Sequence, residues 1–137
     1  EKKNALITFE KTGPALDDFG NGLSYSFGPS SFGHYEGEVV VLTNRSCYSA
    51  TNTFVAILSN YANVRIVGDQ TGGGGGIPID QELPNGWRYR FSATASFTPD
   101  GYNIELGIPP DIALNNNPTT NAQGVDQILQ RALNLLR

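Results

Sequence analysis

The residues best suited to chemistry in this chain are the small nucleophilic side chains Ser46, Cys47 and Ser49, which lie between an apolar run and a helical pattern. A serine at such a junction projects its hydroxyl from a rigid turn, beside the unpaired backbone N–H groups that begin a helix. One such N–H typically stabilises the transition state of acyl transfer by about 2.7–4 kcal/mol. The sequence therefore predicts either a serine nucleophile or a serine that only caps the helix, which is the commoner use of serine there.

The elements around these residues follow from two apolar runs and one helical pattern. Val39–Thr43 is a continuous, largely β-branched run, which predicts a strand covered on both faces, as in a parallel sheet. Apolar residues recur at helical spacing from Ser49 to about Asn60, and Val64–Gly68 then predicts a second strand. Because the connections are tight, the three segments predict a βαβ unit with Ser49 at the start of its helix.

Three further patterns follow the glycine run at residues 72–76. Ile77–Leu83 and Trp87–Phe91 flank a Pro-Asn-Gly turn, which predicts a β-hairpin whose second strand has an aromatic face. Two prolines force residues 108–111 to be extended. A capping-box pattern at residues 120–123 predicts the start of a single closing helix.

Composition excludes several classes of function. The 137 residues fit one domain with a modest core, and a net charge of −4 offers no basic surface to nucleic acid. One cysteine, Cys47, and one histidine, His34, cannot form a zinc cluster, so we expect no metal or cofactor. No run of about 18 apolar residues predicts a membrane span. Because the chain contains no methionine, even at position 1, we expect it to be a piece or a processed product of a longer protein.

Four blocks and a closing helix carry a resemblance to a known family. They are Leu-Thr-Asn-Arg-Ser-Cys-Tyr-Ser-Ala-Thr-Asn at 42–52, Val-Gly-Asp-Gln-Thr-Gly-Gly-Gly at 67–74, Leu-Pro-Asn-Gly at 83–86 and Gly-Ile-Pro-Pro-Asp-Ile at 107–112. In order and spacing they resemble the second half of the C-terminal-processing (tail-specific, tricorn-like) serine peptidases. The resemblance implies an α/β fold with a ClpP/crotonase-like core of ββα-type units, present here as a partial domain. Residues 1–37 would be a strand plus a loop lead-in, the loop covering 12–33, and residues 38–137 the nucleophile-bearing core.

The resemblance also implies roles for single residues. In that family the nucleophilic serine precedes an alanine and a small hydroxyl residue at a helix start, a pattern that Ser49 matches, and the backbone N–H of Ala50 would be one oxyanion donor. The second donor belongs to an upstream glycine-rich turn that is not recognisable here. Members with a Ser-Lys dyad carry the lysine in a glycine turn, but residues 71–76 contain no lysine. The tricorn-like branch instead uses Ser, His and a Glu that lies just before the Gly-Ile-Pro-Pro-Asp block, which matches Glu105.

The remaining parts of such a site are less complete in this sequence. The implied base is a histidine well upstream of the nucleophile, in sequence outside this chain, and His34 is better interpreted as a surface or loop-packing residue. Cys47 is better interpreted as a small buried residue than as a thiol nucleophile. Gly72, Gly73 and Gly74 form either a backbone-lined wall of the substrate cleft or a plain flexible connector.

We therefore expect a serine endopeptidase that acts on peptides or proteins through an acyl-enzyme on Ser49, without a cofactor. The family resemblance implies a location outside the cytoplasm, in the periplasm or cell envelope, and leaves the oligomeric state open. The alternative is a non-catalytic module that binds peptides or apolar ligands on the same scaffold. A third possibility is a scaffold domain for oligomer assembly.

Overall fold

A computed structural model describes residues 3–15, 17–28, 30–33 and 35–137, with the side chains of residues 3–5 left undescribed. His34 lies outside these ranges. The strands and helices in the described part of the chain are, in order, β1 Lys3–Glu10, β2 Leu23–Phe27, β3 Val39–Thr43, α1 Ala50–Leu58, β4 Val64–Gly68, β5 Pro78–Glu82, β6 Arg88–Ser92, β7 Thr94–Phe97, a single 3-10 turn Ile104–Leu106, β8 Ile112–Ala113, α2 Pro118–Ala122 and α3 Gln127–Leu135.

The predicted βαβ unit is confirmed as β3, α1 and β4. The two strands pair in parallel, from Val39 against Val64 to Thr43 against Gly68, and the short strand β8 pairs with the other side of β4. The prediction that β3 is covered on both faces is wrong. It lies at the edge of this sheet, and most of its side chains are half-buried, with Leu42 exposed.

A second, antiparallel sheet has the strand order β2, β1, β7. Residues 12–33 were expected to be loop, but they contain β2, so that prediction is wrong for Leu23–Phe27. The strand is short, its apolar side chains alternate with Ser24 and Ser26, and all five of its residues are exposed. Surrounding glycine and proline residues obscure this alternation in the sequence.

The predicted hairpin is confirmed as the antiparallel pair β5 and β6. Gly86 takes φ 84° in the connecting turn, where the Leu83 N–H donates to the Trp87 carbonyl at 2.7 Å. Tyr89 and Phe91 stack with ring centroids 5.9 Å apart, as the period of two predicts. Every residue of the two strands is exposed, so this aromatic face is not part of the core.

The predicted closing helix is confirmed as α3, but its predicted start at residues 120–123 is wrong, because Pro118–Ala122 forms the separate helix α2. Gly124 adopts φ 78° after α2, where its N–H donates to the Asn121 carbonyl, and this left-handed residue ends the helix. The caps are Asn117 and Asp126, whereas the Thr120 hydroxyl donates back to the Asn117 carbonyl and begins no helix.

The core joins the two larger sheets through α1 and the 3-10 turn. Its buried side chains are Leu6, Val55, Ala56, Ile66, Ile104 and Ile108. Helix α3 packs on β3 and β4. Across the described ranges, none of the helices has both the length and the apolar character that crossing a bilayer requires.

Candidate active site

Ser49 occupies a strained turn between β3 and α1. Its backbone has φ 57° and ψ −122°, and it is the one non-glycine residue with positive φ in the described part of the chain. Such a conformation costs about 1–3 kcal/mol and persists only where the surroundings enforce it. The residue is exposed, and its side chain makes no capping hydrogen bond to α1. The interpretation of Ser49 as a plain helix cap is therefore wrong.

Two backbone hydrogen bonds hold this turn against the glycine run. The Ser49 N–H donates to the Gly73 carbonyl at 2.9 Å, and the Gly72 N–H donates to the Cys47 carbonyl at 2.9 Å. Both bonds join residues more than twenty positions apart in sequence. They supply the external support that a strained serine needs, and they place the glycine run beside its hydroxyl.

Ser49 lies at a cavity of about 290 Å³. One side consists of the turn and the glycine run, and the other consists of the hairpin. The described residues that line it are Tyr48, Ser49, Gly74, Gly76, Pro78, Arg90, Phe91 and Ser92. The exposed hairpin thus supplies one wall of the cavity that contains the candidate nucleophile.

The glycine run is packed closely on its neighbours. A Cβ added at Gly73 would lie 2.2 Å from the Glu105 carbonyl oxygen, and one added at Gly74 would lie 2.3 Å from the Tyr48 ring. Both residues have positive φ, at 82° and 75°. The run is therefore not a free connector. Of the three glycines expected at the cleft, Gly74 lines the cavity, whereas Gly72 and Gly73 support it through their backbone bonds.

Glu105 lies in the 3-10 turn and is exposed. Asn103 caps this turn by accepting the Glu105 N–H at 3.0 Å. The Glu105 Oε2 accepts the Gly76 N–H at 3.0 Å, and Gly76 lines the cavity at Ser49. Ser49 and Glu105 are 56 positions apart in sequence. Ser49 lines the cavity directly, and Glu105 is connected to its wall through the bond to Gly76.

Ala50 begins α1, immediately after Ser49, and is exposed. Its N–H belongs to the first turn, where no carbonyl lies four residues back within the helix. The oxyanion role of Ala50 stays a prediction. Neither an imidazole nor an amine is found among the described residues that line the cavity.

The sequence analysis missed two residues at this site, Asn52 and Thr71. Both are completely buried, and the Thr71 hydroxyl donates to the Asn52 Oδ1 at 2.5 Å. The sequence could have indicated Asn52, because it is an asparagine three residues after Ser49 on the predicted helix. The other buried residues of that helix, Val55 and Ala56, are apolar. The partner Thr71 has no local signal, since the pair forms only in the fold.

The fold is an α/β domain with a ClpP/crotonase-like core, and its two features of chemical interest are a serine at a strained turn and a carboxylate that is hydrogen-bonded to Gly76 in the wall of the same cavity. The chain belongs to peptidase family S41, whose sequence profile matches residues 5–114.

Solved structures agree with that assignment. A candidate peptidase from Parabacteroides merdae ATCC 43184 is 38% identical over 99% of this chain, with a TM-score of 0.94. The photosystem II D1 C-terminal processing protease has a TM-score of 0.60 at 23% identity, over 83% of this chain and 28% of its own. Mature CPAF in complex with lactacystin has a TM-score of 0.64 at 22% identity, over 71% of this chain and 20% of its own. These last two likenesses show the fold.

The chain spans 43% of the length of the Parabacteroides merdae protein. No curated protein matches it.

Proposed function

We propose that the protein is a serine endopeptidase that forms an acyl-enzyme on Ser49, and that its base is a histidine outside this sequence. The observation that carries the proposal is the exposed, positive-φ Ser49 at a cavity whose wall also binds the Glu105 carboxylate. Membership of a peptidase family gives the class of reaction.

The geometry supports the following course of reaction. An extended peptide lies in the cleft between Gly74 and the hairpin, and the Ser49 oxygen attacks its carbonyl carbon while the base takes the hydroxyl proton. The N–H of Ala50 donates to the resulting oxyanion. The C–N bond then breaks, the leaving amine takes the proton from the base, and water hydrolyses the ester. Glu105 orients the base and stabilises its charged form.

An external base is needed because a serine hydroxyl is a weak nucleophile without one. The glycine turn at 71–76 offers no lysine for a Ser-Lys dyad, and the described cavity lining offers no imidazole. The bond of Glu105 to Gly76, in the wall of the Ser49 cavity, supports placing the protein in the tricorn-like branch of the family, in which a histidine completes the site.

Active-site labelling tests the proposal directly. The full-length protein is treated with a fluorophosphonate probe and compared with its Ser49→Ala and Ser46→Ala variants. We expect labelling of the wild type and of Ser46→Ala, and none of Ser49→Ala, because Ser46 lies in the same turn without the strained backbone. Labelling that persists in Ser49→Ala would rule out Ser49 as the nucleophile.

In a peptide-cleavage assay the isolated 137-residue chain should show no turnover, because the proposed base lies outside it. Turnover by the isolated chain would show that a residue within it, His34 included, serves as the base. The control is the full-length protein at equal concentration.

A non-catalytic binding module is the second candidate. Its support is a second cavity of about 250 Å³, lined in part by Gly75, whose lining is mostly apolar and includes Leu6, Tyr25, Phe27, Ile57 and Ile77. If the full-length wild type binds peptides or apolar ligands but is neither labelled nor active, this candidate replaces the peptidase. A role in oligomer assembly would show in equilibrium sedimentation.

A location outside the cytoplasm, in the periplasm or cell envelope, is part of the proposal and rests on the family resemblance. Cell fractionation followed by detection of the full-length protein tests it. Recovery in the cytoplasmic fraction alone would contradict it.

A further inference from the structure

Asn52 and Thr71 form a buried polar pair directly beneath the candidate site. Both side chains have 0% exposure. The Thr71 hydroxyl donates to Asn52 Oδ1 at 2.5 Å, and the Ile108 N–H donates to the Thr71 oxygen at 2.6 Å. The Asn52 Nδ2 donates to the Ile104 carbonyl at 2.8 Å. The pair thus satisfies its own polar atoms and two backbone groups.

The pair links the three segments that contain the candidate site residues. Asn52 lies on α1, about one helical turn after Ser49, so it moves with the start of that helix. Thr71 immediately precedes the glycine run, and Ile104 immediately precedes Glu105. A shift of the Glu105 turn relative to α1 would break the bond between Asn52 and Ile104.

An apolar pair of the same shape would remove the bond between Asn52 and Thr71 at little cost, because both of its partners are replaced together, but it would leave the Ile108 N–H without the Thr71 oxygen as its acceptor. What an apolar pair cannot supply is a fixed direction and distance between the helix and the turn. A fully satisfied buried network specifies one arrangement of the segments that it joins.

We propose that Asn52 and Thr71 are positioning residues, which hold Ser49 and Glu105 in one relative arrangement and thereby set the rate of acylation. The inference rests on the proposed serine peptidase function. Neither residue touches substrate, so their loss acts on the rate of reaction at Ser49 and leaves the binding of probe or peptide in the cleft unchanged.

The first test compares Thr71→Val with Thr71→Ser in the full-length protein. Valine keeps the shape of threonine and removes the hydroxyl, whereas serine keeps the hydroxyl. We expect fluorophosphonate labelling of Thr71→Val to be about 10²-fold slower, since a misplacement of about 1 Å can cost that much. Thr71→Ser should restore most of the rate, and the concentration of probe at half-maximal rate should be the same in all three proteins.

Thr43→Val is the matched control. Thr43 is also a buried threonine, 2% exposed, and its hydroxyl donates to the Asp69 carbonyl at 2.7 Å, but no bond links it to the Glu105 turn. We expect Thr43→Val to lower the free energy of unfolding to a similar degree as Thr71→Val and to keep the wild-type labelling rate.

The double variant Asn52→Leu with Thr71→Val separates positioning from stability. Thr71→Val leaves the buried Asn52 Oδ1 without its donor, and Asn52→Leu removes that unpaired atom, so the free energy of unfolding of the double variant should recover in part relative to Thr71→Val, while its labelling stays slow. Recovery of labelling together with stability would overturn the inference, as would wild-type labelling of Thr71→Val. If Thr71→Val fails to fold, the double variant decides. Absence of labelling in the wild type would instead contradict the proposed function. Failure of the proposed function and failure of the positioning role therefore give different results.

Discussion

Ser49 gains its exposed position through backbone strain. A residue with a side chain at φ 57° and ψ −122° is out of its preferred conformation, and the two bonds to Gly72 and Gly73 keep it there. Gly72 can approach the turn so closely because it has no Cβ atom, which would meet the Arg45 carbonyl, and Gly73 approaches the Glu105 carbonyl for the same reason. The turn at Ser49 and the glycine run are therefore one structural unit, although 20 or more residues separate them in sequence.

Adding a single methyl group at Gly74 tests how closely the glycine run packs on the turn at Ser49. In Gly74→Ala the new Cβ would meet the Tyr48 ring at 2.3 Å and also occupy a positive φ of 75°. We expect a loss of about 1–2 kcal/mol in the free energy of unfolding from the strained φ, because the exposed Tyr48 ring can move aside, and labelling at Ser49 at least roughly tenfold slower, because that ring adjoins Ser49.

Gly101→Ala is the control for that change. Gly101 also has positive φ, at 87°, but an added Cβ there meets nothing within 4 Å. It should likewise cost about 1–2 kcal/mol of unfolding free energy but leave labelling unaltered. Equal labelling of the two variants would contradict the close packing of Gly74 on Tyr48.

At the scale of elements, the Pro-Pro-Asp block completes the parallel sheet. Strand β8 pairs with only the last two residues of β4, at Val67 and Gly68. The Asp111 carboxylate accepts the Ile66 N–H at 2.7 Å, so a side chain takes the place of a strand hydrogen bond just before β8 begins. The extended prolines hold Asp111 in position for this bond. The bond gives the Pro-Pro-Asp block a structural role, so the block needs no catalytic role to explain it.

The cap of α3 predicts a pH dependence of stability. The pKa of Asp126 is lowered below its usual 3.8 by the Leu129 N–H first and the Asn116 amide second. A carboxyl whose pKa falls on folding contributes stability that is complete above about pH 3.8 and is lost as pH falls through the lower folded value. Asp126→Asn keeps an acceptor for the Leu129 N–H but does not titrate.

We therefore expect the unfolding free energy of the wild type to exceed that of Asp126→Asn near neutral pH, with the difference shrinking as the solution is acidified below about pH 3.8. Urea unfolding of the two full-length proteins across this range measures it. A difference that is constant with pH would contradict the lowered pKa.

The sequence predicted the elements whose signal is local. The apolar run of β3, the helical spacing of α1 and the Asn-Gly turn of the hairpin each lie within a dozen residues. The break at Gly124 was missed because the capping-box pattern at residues 120–123 directly precedes the apolar positions that begin at Val125, and a glycine in a helical pattern does not reveal its sign of φ. The pair of Asn52 and Thr71 could not be predicted, since 19 residues separate its members and only the packing of α1 on the glycine run brings them together.

For the whole molecule, the site lies between a rigid part and an exposed part. Ser49, the glycine run and the Glu105 turn adjoin the core of Val55, Ile66 and Ile104. The opposite wall is the hairpin, whose ten strand residues are all exposed and whose packing comes mainly from its own two strands. A cleft with one well-packed and one weakly packed wall would suit the proposed peptidase, which must admit an extended peptide without displacing Ser49.

Native-state hydrogen exchange should resolve this difference. Amides of β5 and β6, such as those of Gln81 and Tyr89, should exchange through local opening with weak dependence on denaturant, because opening the hairpin exposes little buried surface. The amide of Val67, which is completely buried in β4, should exchange only through global unfolding. Gly86→Ala strains the hairpin turn, where residue 86 has φ 84°. It should lower the free energy of hairpin opening by about 1 kcal/mol and so speed exchange of the hairpin amides roughly fivefold, while the exchange rate of the Val67 amide stays the same. Hairpin amides as protected as Val67 would show that the hairpin is held as firmly as the core.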